Sequence, residues 1–137
     1  KSAHPGIVTL KKIFEENANK VLHSHFPQRS VQLRNGWANR HSDGDFLPPH
    51  SHGLSLVAGA YYALAPEGAG DLLLQDPSAG SRWCNYTDGM ITNVVFKRIK
   101  PVQDRMVLFP GHIIHSTAPT TCKLPRISIA ANFAPPN

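Results

Sequence analysis

Pro49-His50-Ser51-His52-Gly53-Leu54-Ser55-Leu56-Val57-Ala58-Gly59-Ala60-Tyr61-Tyr62 is the segment around which this chain is organised. Two histidines separated by one residue stand just before an apolar run that ends in two tyrosines. A His-x-His pair at a strand entrance can aim both imidazoles at one ion, because the intervening residue turns away. A third histidine, His115, lies far downstream in Phe109-Pro110-Gly111-His112-Ile113-Ile114-His115. Arg126 follows in another apolar run. Two close ligands, one distant ligand and a buried cation make the skeleton of a mononuclear iron site in a β-barrel.

The chain has 137 residues, room for one domain with a single sizeable core. Its 12 prolines and 10 glycines favour many turns and short strands. Fourteen basic against nine acidic residues give a net charge of +5, but the charges do not gather into a basic arm. A nucleic-acid surface is therefore not expected. Cys84 and Cys122 form no CxxC and no framework, so they read as free thiols in a reducing compartment. With no secretory signal and no apolar run of membrane-spanning length, a cytoplasmic location is expected. The chain opens on Lys1 rather than Met, which points to sequence upstream.

Leu10, Ile13, Phe14, Ala18, Val21 and Leu22 recur at helical spacing and predict a helix from Thr9 to about His25, capped by Thr9 and ended by Pro27. His23 and His25 fall at its end, facing different ways, as surface residues. Beyond Pro27 the period shortens. Strands are expected from Val31 to Asn39, Leu54 to Leu64, Asp71 to Gln75, Ile91 to Lys100, Arg105 to Phe109, Ile113 to Thr117 and Arg126 to Phe133. Arg40 to Asp45 reads as a polar turn that includes His41, which receives no role. Ser78 to Gly89, with Trp83 and Tyr86, reads as a long loop bordering a binding site. One N-terminal helix and about eight short strands (barrel about 31–133) predict a mainly β, closed or double-sheet antiparallel barrel forming a single domain over 1–137.

In their order, these motifs resemble the iron(II)- and 2-oxoglutarate-dependent oxygenases, whose fold is the double-stranded β-helix. They are most similar to a branch whose near motif is itself His-x-His, followed by a strand ending Gly-x-Tyr-Tyr. Here that strand is Gly59-Ala60-Tyr61-Tyr62. Gly70 to Pro77, the Phe-Pro-His block from Pro101 to His115 and the closing Arg126-Ile127-Ser128-Ile129-Ala130-Ala131-Asn132-Phe133 complete a match over about residues 31 to 133. The resemblance implies that His50 and His115 hold iron(II). Arg126 and Tyr62 would hold the far carboxylate of the cosubstrate 2-oxoglutarate, and Asn39 would lie where a cosubstrate contact is sometimes found. It implies hydroxylation of an unidentified small molecule or peptide, with release of succinate and CO2.

His52 departs from the pattern, since most relatives carry Asp or Glu there. It is either the third ligand, or a donor behind a metal held by water or by Asp43 or Asp45, or the mark of a site that has lost its metal. His112 is expected to be exposed, and Tyr61 to pack away from Tyr62. The nearest rival is a three-histidine metal cupin. Gly44 and the His50-Ser51-His52 pair open its first motif, but Leu56 or Val57 stands where its Glu belongs. A metal-free module for an anion or nucleic acid is the third reading, carried by the net charge alone. Exposed barrel edges could pair two chains into a homodimer.

Overall fold

The structure, a computed structural model, describes residues 3–78 and 96–137. Trp83, Cys84 and Tyr86, with most of the expected 78–89 loop and the start of the expected strand at 91, lie outside the described residues. Among the described residues one helix, α1 (Pro5–His23), precedes seven strands: β1 (Gln32–His41), β2 (Val57–Leu64), β3 (Leu72–Gln75), β4 (Phe96–Ile99), β5 (Met106–Pro110), β6 (His115–Thr117) and β7 (Arg126–Ala134). Two antiparallel sheets face each other, a larger one in the order β1-β7-β2-β5 and a smaller one in the order β4-β3-β6. This is the mainly β jelly-roll architecture that the strand count predicts.

Helix α1 begins a turn earlier than the apolar spacing predicts. Pro5 occupies its first turn, where the missing N–H is no loss. The Nδ1 of His4, not Thr9, caps it by accepting from the Gly6 N–H at 3.1 Å. The early turn escaped the pattern because Ile7 and Val8 are exposed and add nothing to the buried stripe. That stripe is Phe14, Ala18 and Leu22, which packs on Val31, Val57, Ala131 and Phe133. The Phe14 and Phe133 rings are 5.8 Å apart.

Alternation sorts the strands of the larger sheet into a helix face and an interior face, with a bulge between Leu33 and Asn35 switching the parity on β1. On β7, Ile129, Ala131 and Phe133 face the helix, while Arg126, Ser128, Ala130 and Asn132 line the space between the sheets. On β2, Val57 and Tyr61 take the helix side, and Ala58, Ala60 and Tyr62 point inward. The β2 strand starts at Val57, not Leu54, because residues 52–55 close a turn with Ser55 donating to the His52 carbonyl at 2.8 Å. Leu72 and Phe109 close the interior from the other walls.

The helix-to-sheet layer is therefore the principal apolar core, and the interior between the sheets is left for polar groups. Phe14→Ala should destabilise the chain by about 3–5 kcal/mol, the usual range for emptying a buried aromatic site. Denaturant unfolding measures it, and a loss under about 1 kcal/mol would contradict this division of the core.

Candidate metal centre

His50 and His115 are brought together by the backbone itself. The His50 N–H donates to the His115 carbonyl at 3.0 Å, and the His115 N–H returns a bond to the His50 carbonyl at 2.9 Å. Residues that exchange both bonds sit directly opposite, with side chains on one face. Their ring centroids are 4.2 Å apart. His52 joins from the following turn, its ring 5.1 Å from His50 and 5.0 Å from His115. Ser51 is exposed, as the His-x-His spacing requires.

Gly111 fixes that turn. The His52 N–H donates to the Gly111 carbonyl at 2.9 Å, and a Cβ on Gly111 would collide with the Ser55 carbonyl oxygen. The backbone approach that delivers His52 is thus open only to glycine.

One ligand atom from each of the three rings lies within 4.8 Å of the others. Two nitrogens sharing an ion at about 2.1 Å each can be no more than about 4.2 Å apart, so small ring rotations suffice to close the site. The donors are suitably prepared. The Nδ1 of His50 lies 2.8 Å from the Pro48 carbonyl and that of His115 lies 3.0 Å from the Ile113 carbonyl. A carbonyl only accepts, so both Nδ1 atoms carry hydrogen and both Nε2 lone pairs are free. Burial lowers the pKa of His115 to about 4, opposed by its Ile113 bond and reinforced by His50 and His52. Burial, then His50, also lowers that of His52. His52 and His115 are therefore neutral near pH 7, the form that can ligate. Among the described residues no carboxylate joins the cluster. Asp45 is engaged elsewhere, its Oδ2 accepting from the Ser42 N–H at 2.8 Å.

The cavity behind the histidines runs down the interior face of β7. Trp37, Asn39, Tyr62, Ser128 and Arg126 line it with the three imidazoles, and Ala58 and Ala60 keep its middle free of bulk. Trp37 flanks the mouth, its ring 5.9 Å from His52. Arg126 lies at the far end, 2% exposed. Its Nη1 donates to the Gly70 carbonyl at 2.8 Å, its Nη2 lies 2.9 Å from His41 Nδ1, and its Nε is buried without an acceptor. Tyr62 stands alongside, its ring centroid 5.9 Å from the guanidinium carbon. Its phenol stays protonated, since burial raises its pKa against the lowering pull of Arg126.

The sequence reading missed two residues. His41 is not in a polar loop: it ends β1, is buried and faces Arg126. Its place two residues beyond Asn39 on one strand face was the available signal. Asn132, buried with its amide nitrogen 3.3 Å from His52 Nδ1, was read only as part of the closing strand. His112 is exposed as expected, and Tyr61 turns to the helix side, donating to Asp104 at 2.7 Å. A larger concavity of about 830 Å³ lies on that helix side, but among the described residues it holds no cluster that could ligate a metal.

A sequence profile described as "Putative 2OG-Fe(II) oxygenase" matches residues 35–132. The chain belongs to the 2OG-Fe(II) oxygenase family. Solved structures share the oxygenase fold at low identity. A Pseudomonas putida prolyl-4-hydroxylase superposes with a TM-score of 0.68 at 15% identity, covering 98% of this chain and 70% of that one. An oxidoreductase of the same family from Burkholderia pseudomallei gives 0.65 at 10%, covering 91% and 55%. HygX from Streptomyces hygroscopicus, solved with nickel and 2-oxoglutarate, gives 0.63 at 14%, covering 96% and 68%. This chain thus spans about half the length of the Burkholderia protein. No curated protein matches it in sequence.

Two outcomes follow from this geometry. His115 has a lower pKa folded than unfolded, so the unfolded chain binds the proton first. The metal-free protein should lose stability as pH falls from 6.5 towards about 4, and His115→Gln should flatten that part of the profile of Tm against pH. Gly111→Ala should weaken Ni(II) binding by about tenfold or more by displacing His52, measured by calorimetry. Unchanged affinity would show that the turn does not deliver a ligand.

Proposed function

We propose that this chain is an iron(II)- and 2-oxoglutarate-dependent dioxygenase that hydroxylates a small molecule or peptide. The observation that carries the reading is Arg126. It is a buried guanidinium with no carboxylate within ion-pairing distance among the described residues, and its Nε has no acceptor. Removing such a cation from water costs several kcal/mol unless an anion meets it. A diacid reaching from the three histidines supplies that anion. A three-histidine cupin would have no use for the arrangement.

His50, His52 and His115 would hold the iron through neutral imidazoles. A set without a carboxylate leaves both positive charges of the ion uncompensated by protein, which favours a dianionic cosubstrate. Arg126 would grip the far carboxylate with its planar fork. The protonated Tyr62 hydroxyl would donate to the same group, and Asn39, on the adjacent interior face of β1, would contact the cosubstrate. Bound iron(II) supplies oxygen activation, the net change being 2-oxoglutarate, O2 and R–H to succinate, CO2 and R–OH. Ala58, Ala60, Leu72 and Phe109 wall the cosubstrate from water, and the mouth beside Trp37 would receive the substrate.

With iron(II) added, the protein should release succinate from 2-oxoglutarate, and Arg126→Ala should weaken 2-oxoglutarate binding at least about tenfold while leaving metal affinity unchanged. Equal 2-oxoglutarate affinity in the variant would remove Arg126 from its role. Absence of both turnover and 2-oxoglutarate binding in the parent protein would reject the oxygenase reading.

A further inference from the structure

His41 is a buried titratable group that the chemistry above leaves unused. It stands directly opposite Arg126 in the β1–β7 ladder, so the two side chains emerge side by side on the interior face. The contact has only one chemical sense. A guanidinium donates and never accepts, so His41 Nδ1, 2.9 Å from Nη2, is the acceptor. His41 is therefore neutral, with its hydrogen on Nε2. Its environment agrees, since burial and then Arg126 lower its pKa against the opposing pull of Asp45.

The consequence falls on the orientation of Arg126. Two protein acceptors fix its plane, the Gly70 carbonyl at Nη1 and His41 at Nη2. With both in place the Nε–H is left unspent. With only Gly70 in place the guanidinium could rotate about its last side-chain bond, and the fork would no longer be presented to a ligand. The Gly70 backbone is packed closely against Ala118, since a Cβ on Gly70 would collide with the Ala118 carbonyl oxygen. A carboxylate at position 41 would neutralise Arg126 and compete with an acidic ligand. A neutral acceptor orients the cation without spending its charge.

We propose that His41 is the positioning residue for Arg126, a neutral imidazole that holds the guanidinium in the orientation by which this chain selects a keto acid carrying a second carboxylate. The inference rests on the reading of Arg126 as the diacid anchor. It concerns selectivity between keto acids, which a merely structural histidine would not control.

The test is calorimetric titration of the Ni(II)-loaded protein with 2-oxoglutarate and with 2-oxobutyrate, which lacks the far carboxylate. The parent protein, His41→Leu, His41→Asn and Arg126→Ala are compared, with Ni(II) affinity measured for each. In His41→Leu, 2-oxoglutarate affinity should fall about tenfold to a hundredfold, as expected for losing a bond to a charged group. Its 2-oxobutyrate and Ni(II) affinities should stay unchanged. His41→Asn, which restores a neutral acceptor, should hold 2-oxoglutarate within about threefold of the parent. His41→Leu that keeps its preference for the diacid overturns the proposal, as do equal losses on both acids, loss of Ni(II) binding, or His41→Asn as weak as His41→Leu. If instead the parent shows no preference for the diacid and Arg126→Ala changes nothing, the anchor reading has failed and takes this proposal with it.

Discussion

The paired backbone bonds between His50 and His115 are the constraint on which the site depends. They join the segment before β2 to the first residue of β6, positions 65 apart in the chain. Because both bonds are made, the two side chains have no choice of face. Their Nδ1 hydrogens are then taken by carbonyls two residues back, Pro48 and Ile113, which leaves each ring its inward nitrogen. The same short local return occurs twice, in two unrelated segments. Each histidine is thus oriented by its own loop and brought to the other by the bridge.

The division of the protein into two compartments follows from the larger sheet. Its outer face is covered by α1 and carries the apolar load, with Val57 and Phe133 in the same cluster as Phe14 of the helix. Its inner face is relieved of that duty. It can therefore hold Arg126, Ser128 and Asn132 on one strand, at buried positions that would be costly in an ordinary core. A buried guanidinium, a protonated phenol and three imidazoles form an interior short of anions among the described residues. That shortage is the electrical basis for the acidic cosubstrate proposed above, and it is sharpened by histidine at position 52, which brings no negative charge to the cluster.

Much of this was legible in the sequence because strands obey a period of two. That Tyr61 and Tyr62 face opposite ways follows from alternation on β2, while the inward places of Tyr62 and Arg126 were implied by the resemblance to the oxygenases. The histidine triad was legible from the order of its motifs. His41 was not, because Arg40 to Asp45 has the composition of a turn, and only pairing with Ile127 and Arg126 carries β1 through it. The tertiary partner overrode the local signal. The start of α1 was obscured similarly, since Pro5 and a histidine cap depart from the usual signature and the first turn buries nothing. Asn132 was hidden in an apolar strand whose interior face could not be ranked without knowing where His52 lands.

The central claim is that three imidazoles share one ion. X-ray absorption at the iron edge of the Fe(II)-loaded protein addresses it most directly, since imidazole rings give a distinctive multiple-scattering pattern that can be counted. The account predicts one iron per chain, with three imidazoles at about 2.1 Å and oxygen donors completing the shell. Iron held by one imidazole or none, or a protein that takes up no iron, would contradict it.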